Sequence, residues 1–213
     1  MRAQAFALME EFYTRNADLS ATREPLTQAV QKIIDCYAAG GKVLTAGSGG
    51  SAADAEHITA ELLKSFRCRR PVSADFRAAF AARFGEDPML DRLEEGLPAL
   101  TLCGNFPILT AVLNDIGHET AFAQTALSLA RPGDVLIAIS TSGNSQMLCN
   151  AIRVAAVRGA FCVALTGRDG GKMRALADIA VVAPAEETYR IQELHMMLYH
   201  LLCAAVEAEF FAE

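Results

Sequence analysis

The chain has 213 residues, 52% of them hydrophobic, and a formal net charge of −6 at pH 7. Such a length can bury a substantial core, and the apolar content excludes a disordered chain. The acidic balance argues against a general nucleic-acid binder, which would carry a basic stripe.

Residues 3–17 and 23–39 read as two amphipathic helices. In the second, Leu26, Val30, Ile33, Ile34 and Tyr37 recur at helical spacing, Pro25 suits the first turn, Thr22 is the expected N-cap, and Gly40-Gly41 ends it. A strand over 42–46 then meets the turn Gly47-Ser48-Gly49-Gly50-Ser51, and a helix follows over about 50–66. Residues 67–97 read as a charged surface excursion with short helices near 74–83 and 88–95. The cluster Arg67, Arg69, Arg70 has two readings, a solvated helix C-terminus or a substrate or interface group. A second strand is expected over 98–103, with helical pieces at 107–113 and 118–130. The continuous apolar run 135–139 has the pattern of a strand buried on both faces of a parallel sheet. It ends in Ser140-Thr141-Ser142-Gly143-Asn144-Ser145, and a helix over about 145–158 follows. Strands at 160–166 and 178–182 and a long helix over about 186–210 complete the chain. Strands alternating with helices predict a doubly wound α/β sheet, with ligands at the strands' C-terminal ends.

No apolar run reaches the ~18 residues of a membrane span, so no membrane partner is expected. The N-terminal stretch lacks a signal peptide's long apolar core and places Glu10 and Glu11 early, so a cytoplasmic chain is expected. The six cysteines are scattered with no CxxC pair, and they read as reduced core residues.

Two stretches carry chemistry. The 47–51 turn lets the backbone approach an anion closely, and a helix N-terminus lies behind it. It is neither a Walker loop nor GxGxxG, and alone it is equally a structural turn. The 140–145 loop offers four hydroxyls beside a helix start, more than capping requires, which suits phosphate oxygens. His57 and Glu61, four apart, share a helix face as either a surface pair or half of a site. On the last long helix, Arg190, Gln192, Glu193, His195 and His200 interrupt apolar positions. His195 lies about 140° around the helix from His200 and reads as a core or interface histidine. His118 begins a helix, as a structural residue or one near the substrate.

With these residues in view, the chain resembles the sugar isomerase (SIS) domain family, and within it the phosphoheptose isomerases. The matching segments are GSGGSAADAEHITAEL (47–62), ND (114–115), GDVLIAISTSGNS (133–145), LTGRDGGKM (165–173) and RIQELHMMLYH (190–200). The resemblance implies one SIS domain over 1–213: a three-layer α-β-α sandwich on a five-stranded parallel, flavodoxin-like sheet. Residues 1–40 would be an N-terminal helical extension and 67–97 a surface insertion. It implies isomerisation of sedoheptulose 7-phosphate to D-glycero-D-manno-heptose 7-phosphate for bacterial heptose synthesis. Glu61 and His200 would be the acid/base pair. His57, Glu61, Gln192 and His200 would hold one Zn²⁺. Ser48, Gly49, Gly50, Ser51, Asn114, Asp115, Ser140, Thr141, Ser142, Ser145 and Gln192 would bind substrate. A homotetramer with sites between subunits is implied, and no nucleotide cofactor. Three features depart from the family pattern: Ser48 stands where an Asn is usual, Tyr189 where an Asp is common, and the 67–97 insertion is long. The competing readings are a non-catalytic SIS protein, such as a replication-initiator-associating factor, and an isomerase of another sugar phosphate. Glu61 cannot be a tightly held ligand and a free base at one moment, so those roles alternate in time.

Overall fold

The computed structural model describes residues 1–212. Its centre is a sheet of five parallel strands: β1 (Val43–Gly47), β2 (Ala99–Thr101), β3 (Val135–Ser140), β4 (Phe161–Gly167) and β5 (Ile179–Ala183). They lie in the order β2-β1-β3-β4-β5. Every residue of β1 and β3 is buried, as their unbroken apolar runs predict, whereas the edge strand β2 is short and partly exposed.

Successive side chains leave a strand on opposite faces, and here each face has its own helical layer. Val43, Ile137, Val163 and Val181 pack beneath α2 (Arg23–Ala38), α3 (Gly50–Leu63) and α9 (Thr188–Phe211). Leu44, Leu136, Ala138 and Cys162 pack beneath α6 (Ala121–Leu129), α7 (Gln146–Val157) and α8 (Gly171–Leu176). The remaining helices are α1 (Ala3–Arg15), which lies along α9, α4 (Ala74–Phe84) and α5 (Phe106–Asp115). The expected α/β sandwich is therefore the observed one.

Several expectations need correcting. Thr22 does not cap α2, because a 3₁₀ turn over Ala17–Thr22 runs straight into that helix. The Thr22 hydroxyl instead donates to the Leu19 carbonyl at 2.7 Å and meets Tyr13 at 3.0 Å. Among the described residues α9 alone is long and apolar enough to cross a membrane by length and composition, contrary to the expectation that no stretch is. Most of it is buried against the sheet and α1–α3, which is the position of a core helix.

The largest correction is Arg70, which is wholly buried instead of solvated. Its Nη1 donates to the Leu62 carbonyl at 2.8 Å and its Nη2 to the Glu61 carbonyl at 3.1 Å, so the guanidinium caps the end of α3. This is why α3 stops at Leu63 instead of running to 66. Nε of Arg70 donates to Glu207 Oε1 at 2.9 Å, and Glu207 is also fully out of solvent. The same carboxylate accepts the backbone N–H groups of Phe66, Arg67 and Cys68 at 2.8, 2.7 and 3.0 Å. Removing one member of a buried pair leaves an uncompensated charge and costs about 3–5 kcal/mol. Glu207→Gln or Arg70→Met should therefore lower unfolding stability by that amount, read from the midpoint of urea denaturation. A loss under about 1 kcal/mol would mean that the charges reach water.

Candidate active site

The strand order places the site. The chain leaves β1 towards β2 on one side, and leaves β3 towards β4 on the other. β1 and β3 are neighbours, with Gly47 opposite Ile139. Their C-terminal ends form the crevice where ligands bind in open α/β sheets. Both glycine-hydroxyl loops open there.

In the first loop, a side chain at Gly47 would overlap the Ser51 carbonyl, so the strand can turn into α3 only through glycine. Gly49 has φ +60°, in the left-handed region, at the N-cap of α3. Ser48, Gly49 and Gly50 are exposed and Ser51 is buried. In the second loop, Gly143 has φ +63° and a Cβ there would overlap the Gly170 carbonyl. The 167–171 turn thus clasps the 140–145 loop from behind, and the Lys172 N–H donates to Asn144 Oδ1 at 3.2 Å. Ser142 Oγ accepts the Asn144 N–H at 3.3 Å. Ser145 stands at the N-cap of α7 but its side chain makes no capping bond. The hydroxyl and the first-turn N–H groups of α7 are left for a ligand.

A second group of side chains lies between α3 and α9. On α3, Asp54, His57 and Glu61 follow one another at i, i+3 and i+7 along one face. α9 brings Tyr199 and His200 against them. His57 Nε2 is 3.0 Å from Glu61 Oε1, and the His57 and His200 rings meet edge to face with centroids 5.0 Å apart. One ligating atom from each of His57, Glu61 and His200 lies within 4.8 Å of the others. Glu61 Oε2 and His200 Nε2 are both buried without a hydrogen-bond partner. Burial, followed by the neighbouring His57, lowers the pKa of His200, and Glu61 opposes the shift. Phe66 closes over the His200 ring with centroids 5.4 Å apart. Beside it a cavity of about 270 Å³ is lined by Phe66, Arg67, Met197 and His200, among others.

The predicted residues do not all converge. Gln192 lies over the glycine turn, where a Cβ on Gly50 would run into its amide. It stands about 12 Å along α9 from His200 at 1.5 Å per residue. Asn114 and Asp115 are exposed at the end of α5, bonded to each other at 2.7 Å. Among the described residues they share no hydrogen bond with either loop. Ser140, Thr141, Ser142 and Ser145 stand together in the second loop, and Tyr189 is exposed in the first turn of α9. Sequence reasoning missed Asp54 and Tyr199. The signal available for Asp54 was its i, i+3 spacing from His57.

SIS domain models match residues 7–95 and 108–207. A phosphoheptose isomerase from Paramagnetospirillum magneticum is 41% identical over 189 residues, 89% of this chain and 86% of that one. One from Helicobacter pylori is 38% identical over 192 residues, 90% of this chain and 88% of that one. The solved phosphoheptose isomerase from Neisseria gonorrhoeae is 32% identical with a TM-score of 0.71, over 97% of this chain and 94% of that one. The chain belongs to the phosphoheptose isomerase family. A phosphoheptose isomerase from Francisella tularensis, 27% identical, has a TM-score of 0.72 over 97% of this chain and 98% of that one.

The cluster fits the zinc ion that the family resemblance implies. Two imidazoles and a carboxylate suit Zn²⁺, and two of the orphaned buried atoms sit on these residues. His195, by contrast, is no part of this phosphoheptose isomerase cluster. Its Nε2 meets the Thr166 carbonyl at 3.0 Å in a fully buried setting, and burial lowers its pKa to about 4. Above pH 6.5, folded and unfolded chains both carry it neutral and its contribution to stability is whole. Between 6.5 and about 4 only the unfolded chain takes up the proton, so stability falls by about 1.4 kcal/mol per pH unit. Urea midpoints at pH 7.5 and 5 should therefore differ more in the wild type than in His195→Gln. Equal differences would mean that the imidazole protonates in the folded state.

Proposed function

We propose that this chain interconverts sedoheptulose 7-phosphate and D-glycero-D-manno-heptose 7-phosphate for bacterial heptose synthesis. The observation that carries this reading is the meeting of Glu61 and His200. They come from different helices, and each brings a buried polar atom with no partner. Membership of the phosphoheptose isomerase family supports it.

The hydroxyls of Ser140, Thr141, Ser142 and Ser145, with the N-terminus of α7, would hold the phosphate. That remote anchor positions the reacting carbons and contributes binding energy to the chemical step. Ser48, Gly49, Gly50, Ser51 and Gln192 would meet the sugar hydroxyls. Glu61 would take the proton from C1 of the ketose, leaving a 1,2-enediolate, and return it at C2. His200 would carry the accompanying proton from O1 to O2. Its lowered pKa keeps the ring neutral near pH 7, able to accept and donate. His57, Glu61 and His200 would hold Zn²⁺, which when bound supplies Lewis-acid polarisation of the sugar oxygens, and Gln192 would serve from its place over Gly50. Glu61 and His200 can serve the ion or the substrate, not both at one instant.

The active assembly in this reading is a homotetramer with sites between subunits. Its support is an apolar surface along α5, where Phe106 is 71% and Ile116 57% exposed. Asn114 and Asp115 lie on the same helix, and a neighbour docked there would bring them to its own site. All six cysteines are free, which suits a reducing cytoplasm.

Glu61→Gln and His200→Asn should each cut kcat by about 10²–10⁴-fold with circular dichroism unchanged, in a coupled assay with sedoheptulose 7-phosphate run against other ketose phosphates. Near-full turnover in either variant would sink the role assignment. Chelation should lower the rate and Zn²⁺ restore it, whereas an unchanged rate after verified metal removal would discard the ion.

A further inference from the structure

One buried hydrogen-bond chain beside the cluster has no part in the reading above. Tyr199 is almost wholly buried, and its hydroxyl is 3.0 Å from His57 Nδ1 and 3.4 Å from Asp54 Oδ1. Asp54 is buried too, and its Oδ2 has no partner. A phenol is protonated at neutral pH, so the hydroxyl has one proton to give.

The proton count then decides the ring. A phenol has one proton and can donate it once. An Asp54 carboxylate can only accept, so Tyr199 donates to Asp54. The phenol oxygen is then free to accept, and the atom facing it is His57 Nδ1, which must carry hydrogen. With Nδ1 protonated, the neutral ring has its lone pair on Nε2. That lone pair faces Glu61 Oε1 at 3.0 Å. Two acceptors at that separation repel unless a cation lies between them. Asp54 and Tyr199 thus turn His57 so that Nε2 joins Glu61 and the orphaned Nε2 of His200.

We infer that Asp54 and Tyr199 are positioning residues, a carboxylate–phenol relay that holds His57 by Nδ1–H and presents its Nε2 lone pair to a divalent cation between α3 and α9. The inference rests on the reading of His57, Glu61 and His200 as one cluster. It adds what sets the donor atom of His57. Groups that orient a ligating histidine typically change metal affinity by about 10–100-fold.

Two measurements on the full-length protein test it. The first is a long-range ¹H–¹⁵N correlation of the histidine rings in metal-free protein at pH 8. Wild-type His57 should carry its proton on Nδ1. In Tyr199→Phe, with no acceptor at that position, the proton should move to Nε2 and point at Glu61. A bare Nδ1 in the wild type, or the same pattern in both proteins, overturns the inference. The second is Zn²⁺ affinity by competition with a chromogenic chelator. Tyr199→Phe should weaken it about 10–100-fold, and Asp54→Asn by a smaller factor in the same direction, with melting temperatures of the metal-free proteins close to wild type. Affinities within twofold of wild type in both variants overturn it. A wild-type protein that binds no Zn²⁺ sinks the metal reading of the cluster, and the ring-nitrogen assignment still decides the relay.

Discussion

The buried pair Arg70–Glu207 is the constraint on which the packing of α3 against α9, and so the cluster between them, depends. Neither charge touches water, so each must be answered in full by protein groups. Glu207 answers with two oxygens against three backbone N–H groups and a guanidinium. Arg70 answers with two carbonyls at the end of α3. The result fixes three things together: where α3 stops, how residues 64–70 turn, and where the C-terminal part of α9 lies against both. α3 carries His57 and Glu61 and α9 carries Tyr199 and His200. The register between the two helices is the register of the cluster. Arg70 binds the main-chain carbonyl of Glu61 itself, so the link from structural pair to the clustered carboxylate is a single residue long.

The other half of the site depends on the sheet. Two loops open at neighbouring strand ends because the connections leave β1 and β3 in opposite directions. Glycine is demanded at Gly47 and Gly143 by close backbone approach, and that same closeness leaves amides and hydroxyls free to face an anion. The molecule thus separates its loops from its titratable cluster. The two glycine-hydroxyl loops belong to strand ends, which the core holds, and His57, Glu61 and His200 belong to helix faces. Gln192 bridges the two, lying on Gly50 from the helix that also carries His200.

How much of this was legible in the sequence follows from the range of each interaction. The alternation of strands and helices, the glycine turns and the hydroxyl loop are local patterns, and the sheet and both loops stand where those patterns predict. His57 and Glu61 were visible as an i, i+4 pair because one helix turn brings them together. Arg70 was misread because its partner lies 137 residues on, and three arginines after a helix resemble an ordinary solvated end. Tyr199 and Asp54, 145 residues apart, meet only after the two helices pack. Thr22 had the composition of a cap, but the 3₁₀ turn before it occupied the geometry a cap requires. Local chemistry predicts local structure, and these misses all involve a contact or a turn that local composition does not encode.

An orphaned buried polar atom costs about 1–3 kcal/mol. Folding alone gives no reason to keep Glu61 Oε2, His200 Nε2 and Asp54 Oδ2 unpaired within one small region. His195 Nδ1 on α9 is likewise unpaired, but further along the same helix the chain satisfies a harder demand, wrapping the Glu207 carboxylate completely. The contrast separates two uses of buried charge in one layer. At Glu207 every lone pair is directed inward to the protein, and the product is rigidity. At Glu61 and His200 one polar atom each is withheld from the protein, and that withheld capacity is what a cation or a sugar oxygen could use. The rigidity of the first makes the second tolerable, because a cluster with unsatisfied atoms would otherwise relax until they found partners. Arg70, standing one hydrogen bond from the Glu61 main chain, holds the backbone from which that carboxylate projects.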